Sequence, residues 1–212
     1  MLRLNDSLIL ERNPASTAAE SVRALRVFIR QHLRSSGEGT VIMLTSANEG
    51  EGKTLLAANL AVSFAQEGKR VCIIDANLRK PALHKAYGLK NGNGLADYLM
   101  GSVEAEAVIR PGSTPGLSII TGGAEPLNPS ELLSNERMGQ LLSKLKQQFD
   151  IVLLDSAGVL SYTDARVLAS LTDGAVLVVR YGRTKREAVR KAKQYMDQAG
   201  VNVLGIAMNQ VK

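Results

Sequence analysis

The residues with the clearest chemical potential form one short stretch, ANEGEGKT at positions 47–54. It follows a β-rich run that ends at Thr45 and Ser46, and it opens a long amphipathic segment. In a glycine-rich loop before a helix, successive backbone N–H groups point inward and bind phosphate oxygens, aided by the positive end of the helix. The pattern therefore predicts a phosphate-binding loop of the Walker A type, GxxxxGK[ST].

Each residue type in this loop has a different expected role. Gly50 and Gly52 let the backbone approach a phosphate, and the Thr54 hydroxyl is expected to ligate Mg²⁺. Lys53 is expected to reach the β- and γ-phosphates and to face solvent in the empty site. A small residue, Ala47, replaces the usual first glycine. The residues expected to bind the nucleotide are Ala47, Asn48, Glu49, Gly50, Glu51, Gly52, Lys53, Thr54 and Leu55.

Two aspartates each end an apolar run, Asp75 in CIID and Asp155 in IVLLD. Ligands of open α/β sheets bind at the carboxyl ends of the strands, so both carboxylates are expected to face the phosphate site. Asp155 fits a Walker B aspartate that holds Mg²⁺. Asp75 is expected to contact the metal or to accept a proton from an attacking hydroxyl. The alternative for each is a turn-forming or helix-capping aspartate.

Short β-branched runs alternate with longer amphipathic segments along the chain. This alternation predicts one α/β domain with a doubly wound, mostly parallel sheet and helices on both faces. The predicted strands are 40–45, 70–75, 117–121, 151–155, 175–179 and 203–208. The predicted helices are 17–34, 53–67, 80–87, 129–148, 163–171 and 184–199.

The helix predicted at 17–34 precedes the first strand and is therefore expected to be an appendage that docks on another subunit. Thr17 and Glu20 fit a capping box at its start. An apolar stripe at helical spacing follows, formed by Val22, Leu25, Ile29 and Leu33. We assign residues 1–36 to this N-terminal segment and 37–212 to the P-loop domain, within one structural domain overall.

Charge and composition limit the classes of partner. The 212 residues carry a net charge of +6, with basic residues clustered at Arg79–Lys80 and between Arg180 and Lys193. Such a balance favours anionic partners, but only 4% of residues are aromatic, and they do not alternate with basic ones. Nucleic acid is therefore not expected. One cysteine, Cys72, and no apolar run long enough to cross a bilayer predict a cytoplasmic protein that reaches the membrane only through a partner.

Taken in order, these motifs resemble the bacterial tyrosine kinases (BY-kinases) of capsule and exopolysaccharide synthesis, over residues 15–212. The resemblance rests on the Walker A loop, an acidic strand end at 75–79 (Walker A′), the Walker B run at 151–155 and NPSELL at 128–133. A fifth feature, Glu20-x-x-Arg23-x-x-Arg26, is similar to the ExxRxxR motif that links subunits of this family into a ring.

The resemblance implies transfer of phosphate from ATP, with Mg²⁺, to protein tyrosines. Lys53 and Asp75 are then the catalytic residues, Thr54, Asp155 and Asp75 hold the metal, and Glu20, Arg23 and Arg26 form the interface of a homo-oligomeric ring. It also implies a membrane adaptor protein of polysaccharide export as the partner, which places the chain at the inner face of the plasma membrane.

Three departures from the family keep other functions open. The Walker A′ pattern has Asn77 where the family has a second aspartate, and Asp155 is followed by Ser156-Ala157-Gly158, which is expected to be a flexible loop. The sequence ends in GIAMNQVK without a tyrosine cluster. The alternatives are a nucleotide-gated interaction protein without kinase activity and a positioning ATPase similar to MinD and ParA. The latter is disfavoured because Asn48 stands where those proteins carry an additional lysine.

Overall fold

A seven-stranded sheet runs through the computed structural model, which describes residues 8–33 and 38–210. The strand order is β3-β4-β2-β5-β1-β6-β7, and every neighbouring pair is parallel except β3 with β4. The strands are β1 (Thr40–Ser46), β2 (Val71–Asp75), β3 (Arg110–Pro111), β4 (Leu117–Ile120), β5 (Ile151–Gly158), β6 (Gly174–Arg180) and β7 (Val203–Asn209). The predicted doubly wound, mostly parallel sheet is confirmed.

Helices cover both faces of this sheet and divide the core into two apolar layers. They are α1 (Ile9–Arg12), α2 (Thr17–His32), α3 (Lys53–Gln66), α4 (Leu83–Ala86), α5 (Leu95–Leu99), α6 (Ala105–Val108), α7 (Pro129–Leu133), α8 (Glu136–Gln148), α9 (Asp164–Ala169) and α10 (Arg186–Gln198). Helices α1 to α4 belong to one layer and α5 to α10 to the other. Within residues 8–33 and 38–210, no helix is long and apolar enough to cross a bilayer.

The predicted elements are recovered, with three kinds of difference. The helix predicted at 129–148 is two helices, because Asn135 caps α8 by accepting a hydrogen bond from the Arg137 N–H at 3.0 Å. The helix predicted at 80–87 shrinks to α4. Short elements of five residues or fewer, namely α1, α5, α6 and β3, were not predicted because they span too few residues to show a periodic pattern of apolar residues.

Helix α2 is packed into the core of its own chain. Ala19, Val22 and Ile29 are buried in the layer that contains α3, so the apolar stripe is satisfied without another subunit. The predicted capping box is wrong: Ser16 is the N-cap, and its hydroxyl accepts a hydrogen bond from the Ala19 N–H at 3.1 Å. The helix ends at His32, and both Arg34 and the 36/37 boundary lie outside the described residues.

Candidate functional site

The predicted site residues meet at the carboxyl edge of the sheet. Strand β5 lies between β1 and β2, and the register pairs Asp155 with Asp75 on one side and with Leu44 on the other. The phosphate-binding loop begins after Ser46, at the end of β1 and two residues beyond Leu44. The sheet therefore brings together the loop and both aspartates, although they are far apart in sequence.

The phosphate-binding loop has the backbone conformation that its glycines permit. Gly50 and Gly52 have φ angles of 74° and 89°, in the left-handed region that favours glycine. A Cβ atom on Gly52 would lie 2.0 Å from Nδ2 of Asn209, so a side chain at this position would be strained by the positive φ and would displace the Asn209 amide. Helix α3 begins at Lys53, directly after the loop, and its N-terminal N–H groups are available to an anion.

The outer positions of the loop differ in exposure. Ala47 is fully buried, which explains why a small residue is found there. Its carbonyl accepts a hydrogen bond from the Leu160 N–H. Asn48 and Glu49 are exposed, and the Leu55 side chain lies at the surface of α3. Any contact of Leu55 with a phosphate would therefore involve its backbone N–H.

Lys53 does not face solvent as expected; it is 6% exposed. Burial lowers the pKa of its ammonium group, and the nearby carboxylates of Asp155, Glu51 and Glu49 raise it. A desolvated lysine that is held charged by carboxylates is already positioned for a phosphate. The sequence could not show this burial because it depends on how β5 and α3 pack.

Asp155 is the most unusual carboxylate of the site. It is fully buried, and neither of its oxygens has a well-formed hydrogen bond among the described residues. Burial raises its pKa to about 6, while the nearby Thr54 hydroxyl and the Lys53 ammonium lower it. Two free, buried oxygens beside a threonine hydroxyl are the donors that Mg²⁺ prefers. The residues thus fit a magnesium ion that completes its shell with water and phosphate oxygens.

The two carboxylate oxygens of Asp75 have different hydrogen-bond partners. Its Oδ2 accepts hydrogen bonds from the Ala82 and Leu83 N–H groups, each at 2.9 Å, so it caps the start of α4. Burial, followed by the charge of Asp155, raises its pKa to about 8. Oδ2 therefore has the helix-capping role that was the alternative for Asp75. Among the described residues, the other oxygen, Oδ1, accepts only a long hydrogen bond of 3.3 Å from the Asn77 N–H.

The segment after Asp155 is a strand, so the expected flexible loop at 156–158 is wrong. Strand β5 continues to Gly158, and all its residues are buried. The Ser156 hydroxyl donates to the Leu44 carbonyl at 3.0 Å, and Thr45 donates to the Ala157 carbonyl at 2.9 Å. A Cβ on Gly158 would lie 2.9 Å from the carbonyl carbon of Asn48, so glycine is needed where β5 passes the phosphate-binding loop.

Two residues from distant parts of the chain hold the phosphate-binding loop in place. Thr184 donates its hydroxyl hydrogen to Glu51 Oε1 at 3.0 Å, and Asn209 donates from its side-chain amide to the Glu51 carbonyl at 3.0 Å. Glu51 itself is 4% exposed. Sequence reasoning missed Thr184 and Asn209 because no local pattern distinguishes them; only their position after β6 and at the end of β7 indicates the same sheet edge.

A second network joins the Walker A′ segment to the NPSELL motif. Arg79 forms a bidentate ion pair with the buried Asp164, at 2.8 and 3.0 Å, and donates to the Ser130 hydroxyl at 3.1 Å. Ser130 also donates to Asp164, and the Arg79 guanidinium lies 4.2 Å from the centre of the Tyr162 ring. Asp164 was not predicted as a site residue, although its network partner Ser130 lies in the quoted motif.

An exposed ion pair joins the phosphate-binding loop to the Walker A′ segment. Lys80 Nζ lies 2.5 Å from Glu49 Oε2 of the phosphate-binding loop. The pair lowers the pKa of Glu49 and raises that of Lys80. Exposed pairs of this kind contribute little to stability, so a nucleotide phosphate can replace Glu49 as the partner of Lys80 at small cost.

The three residues of the ExxRxxR motif do not share one environment. Arg23 is bound to Glu20 at 2.9 Å on the exposed side of α2. Arg26 instead points inward and donates to the Ser63 carbonyl at 2.8 Å. Of the three residues that the resemblance assigns to an interface, only Glu20 and Arg23 thus form a contact at the surface of α2.

Comparison with known proteins identifies the family of this site. Residues 42–212 match the family model described as the CobQ/CobB/MinD/ParA nucleotide binding domain. The chain is 37% identical to the tyrosine-protein kinase YwqD of Bacillus subtilis (strain 168), over 98% of this chain and 87% of YwqD. It is also 37% identical to the tyrosine-protein kinase etk of Escherichia coli (strain K12), over 94% of this chain but only 27% of the etk sequence.

Solved structures show the same relationship. The kinase domain of the Escherichia coli tyrosine kinase ETK superposes with a TM-score of 0.91 and 34% identity, covering 97% of this chain and 82% of that one. The cell division ATPase MinD of Pyrococcus furiosus is more distant, with a TM-score of 0.68 and 25% identity over 80% of this chain and 71% of that one. The chain therefore belongs to the CobQ/CobB/MinD/ParA nucleotide-binding family and, within it, to the bacterial tyrosine kinases.

Proposed function

We propose that this protein transfers the γ-phosphoryl group of ATP to tyrosine hydroxyls of proteins. The observation that carries the proposal is that the buried Lys53 lies near the buried carboxylate of Asp155, whose oxygens have no well-formed hydrogen bond among the described residues, next to the phosphate-binding loop. An uncompensated buried carboxylate costs stability, so its retention beside a phosphate loop favours a catalytic role. The relatives named as tyrosine kinases support the choice of tyrosine as the acceptor.

Each residue then has a defined part in the reaction. The N–H groups of residues 50–54 and the Lys53 ammonium bind the β- and γ-phosphates and neutralise charge as the phosphoryl group moves. Thr54 and Asp155 hold Mg²⁺, which neutralises phosphate charge when it is bound. Asp75, whose Oδ1 accepts only a long hydrogen bond among the described residues and whose pKa is raised, receives the proton of the attacking tyrosine hydroxyl.

A direct assay tests this proposal. The purified protein is incubated with γ-labelled ATP, Mg²⁺ and a random copolymer of glutamate and tyrosine, and phosphotyrosine and free phosphate are measured separately. Magnesium-dependent phosphotyrosine is the expected product. Free phosphate without phosphotyrosine would instead establish an ATPase of the MinD type.

Asn77 favours one second candidate, a nucleotide-gated interaction protein. An amide at this position supplies no negative charge to a metal and accepts no proton. Replacing Asn77 by aspartate adds a carboxylate next to Asp75 and is expected to make transfer depend more steeply on magnesium, because neighbouring carboxylates repel unless a cation lies between them. Phosphotyrosine formation across a magnesium titration measures this change.

The same titration separates the two candidates. A kinase forms phosphotyrosine before the substitution, and Asn77→Asp changes its rate about threefold or less, given that Asp75 and Asp155 are already present. An interaction protein binds ATP without transfer before the substitution. Asn77→Gln is the control, since it alters size without adding charge. An unchanged magnesium requirement in Asn77→Asp would show that this side chain does not face the metal.

We further propose that Glu20 and Arg23 contribute to a homo-oligomeric ring. Their intramolecular ion pair is exposed, so both side chains are available to a second copy of the chain. Arg23→Ala is expected to lower the mass measured by light scattering with only a small fall in melting temperature, because the backbone hydrogen bond that it loses, to the Pro14 carbonyl at 2.7 Å, is exposed. Arg26→Ala should lower the melting temperature as well, because it removes a hydrogen bond to the Ser63 carbonyl.

Arg30→Ala is the matched control for this experiment. Arg30 lies on the same helix and forms an exposed pair with Glu67 at 2.6 Å, outside the ExxRxxR motif. Its replacement is expected to leave the mass unchanged. Equal masses for the Arg23→Ala and natural proteins would show that the motif is a solvated charged face.

The biological setting that we propose is control of capsular or exopolysaccharide synthesis and export. In it, the chain acts in the cytoplasm at the inner face of the plasma membrane and is activated by a membrane adaptor protein. Support comes from the resemblance of the whole chain to tyrosine kinases of such systems. A test is co-purification of the chain with the cytoplasmic segment of a membrane adaptor protein of polysaccharide export, with polysaccharide length as the cellular readout.

A further inference from the structure

The positive charge of the protein is concentrated on one element. Residues 180–198 hold seven of the 26 basic residues and two of the 20 acidic residues, which gives this stretch +5 of the net charge of +6. The remaining chain is close to neutral. Helix α10 occupies most of the stretch, and its inner side is fixed by the buried Ala192 and Met196.

The cations of α10 are largely free. Arg186, Arg190 and Lys193 recur at intervals of four and three residues, so they form a basic stripe along one exposed side of the helix. Among the described residues, Arg186 and Arg190 have no ion-pair partner, and Lys193 has only the exposed Asp197 at 2.7 Å. The exposed Arg183 and Lys185 extend the stripe beyond the N-terminus of α10.

Two exposed apolar side chains lie on the same face of the sheet as α10. The register pairs Ile206 with Leu177 and Met208 with Val179. Leu177 and Val179 belong to the core layer that contains Ala192 and Met196 of α10. Yet Ile206 and Met208, on the edge strand β7, remain 54% and 64% exposed. We call these two residues the apolar edge.

An extended surface that combines free cations with apolar side chains fits an anionic bilayer. Lipid headgroups supply dense negative charge, and the interface below them accepts apolar side chains. A nucleic acid offers the charge, but the sequence lacks aromatic residues interleaved with the basic ones for its bases. We propose that the basic stripe and the apolar edge bind anionic phospholipid headgroups directly, in addition to any contact through an adaptor. The proposal is independent of phosphoryl transfer.

Vesicle co-sedimentation of the full chain tests this inference. Vesicles in which roughly a third of the lipid is phosphatidylglycerol are compared with vesicles of phosphatidylcholine alone. The protein is expected to bind the anionic vesicles selectively and to dissociate as salt is raised. The triple variant R186Q/R190Q/K193Q is expected to lose on the order of 100-fold in partition coefficient, at about fivefold for each charge near a membrane.

A matched variant removes the same charge elsewhere. Lys69, Lys85 and Lys90 are exposed, so K69Q/K85Q/K90Q is expected to bind nearly as well as the natural protein. Replacing Ile206 and Met208 by serine should weaken binding at every salt concentration. Equal losses in the two triple variants, no binding to anionic vesicles, or tighter binding to duplex DNA than to the vesicles would each overturn the proposal.

Discussion

Replacing Lys53 with methionine is expected to lower phosphoryl transfer by about 10³-fold or more. Methionine preserves the length and most of the packing of the lysine stem but removes the cation that the transferred phosphoryl group meets. Because Lys53 is buried, its charge acts on the phosphate with little screening by water. Initial rates of phosphotyrosine formation at saturating ATP and magnesium measure the effect.

Because Lys53 is buried, replacing it with methionine is also expected to change the free energy of unfolding. Its ammonium group lowers the pKa of Asp155, so the variant leaves that carboxylate less compensated. We expect the free energy of unfolding to fall by about 1–3 kcal/mol at pH 8 without metal, and by less at pH 5, where Asp155 is protonated. Lys85→Met, an exposed lysine on α4, is the control and should change neither rate nor stability. Full activity of Lys53→Met would refute the assignment of the site.

The positions of the main strands could be predicted because each strand has a strong local signal. Strands β1, β2, β5 and β6 each contain a continuous run of at least four apolar residues followed by a loop or an aspartate, and a parallel sheet places the ends of such runs on one edge. This rule was sufficient to predict that Asp75, Asp155 and the phosphate-binding loop lie close together. The short α1, α5, α6 and β3 span too few residues to produce a period.

The environment of each side chain could not be predicted in the same way. Burial of Lys53, capping of α4 by Asp75 and the extension of β5 to Gly158 depend on contacts between elements distant in sequence. The same holds for Arg26, which shares its helical spacing with Arg23 but donates to the Ser63 carbonyl. Spacing fixes the side of a helix on which a residue lies, whereas the neighbouring element decides whether that side is free.

Replacing Asp155 with asparagine is expected to abolish magnesium-dependent transfer and at the same time to stabilise the metal-free protein. The amide is nearly the same size but carries no charge, so the cost of burying a carboxylate without a well-formed hydrogen bond disappears, while Glu51 and Glu49 remain as neighbouring charges for Lys53. We expect the free energy of unfolding to rise by about 1–3 kcal/mol at pH 8 in the presence of a chelator. Denaturant unfolding of both proteins measures this difference.

The raised pKa of Asp155 determines whether the stability of the metal-free protein rises or falls with pH. Asp155 has a pKa of about 6 in the folded protein, against an ordinary value of 3.8, so the folded state retains its proton to higher pH than the unfolded state. The stability of the metal-free natural protein should therefore be greatest near pH 4 and fall as pH rises through 6. Asp75, at about 8, extends the decline further. In Asp155→Asn the decline between about pH 4 and 6 is expected to become shallower, because Asp155 no longer titrates and Asp75 alone of the pair contributes there.

Asp164→Asn is the matched control, because Asp164 is equally buried but fully partnered. Its carboxylate holds Arg79 and accepts from Ser130, so its replacement removes a buried ion pair and should lower stability by about 3 kcal/mol. Adding magnesium to bound nucleotide should further stabilise the natural protein but not Asp155→Asn, since this additional stabilisation requires the carboxylate. If Asp155→Asn were destabilised as strongly as Asp164→Asn, Asp155 would be a structural residue and the metal site would have to lie elsewhere.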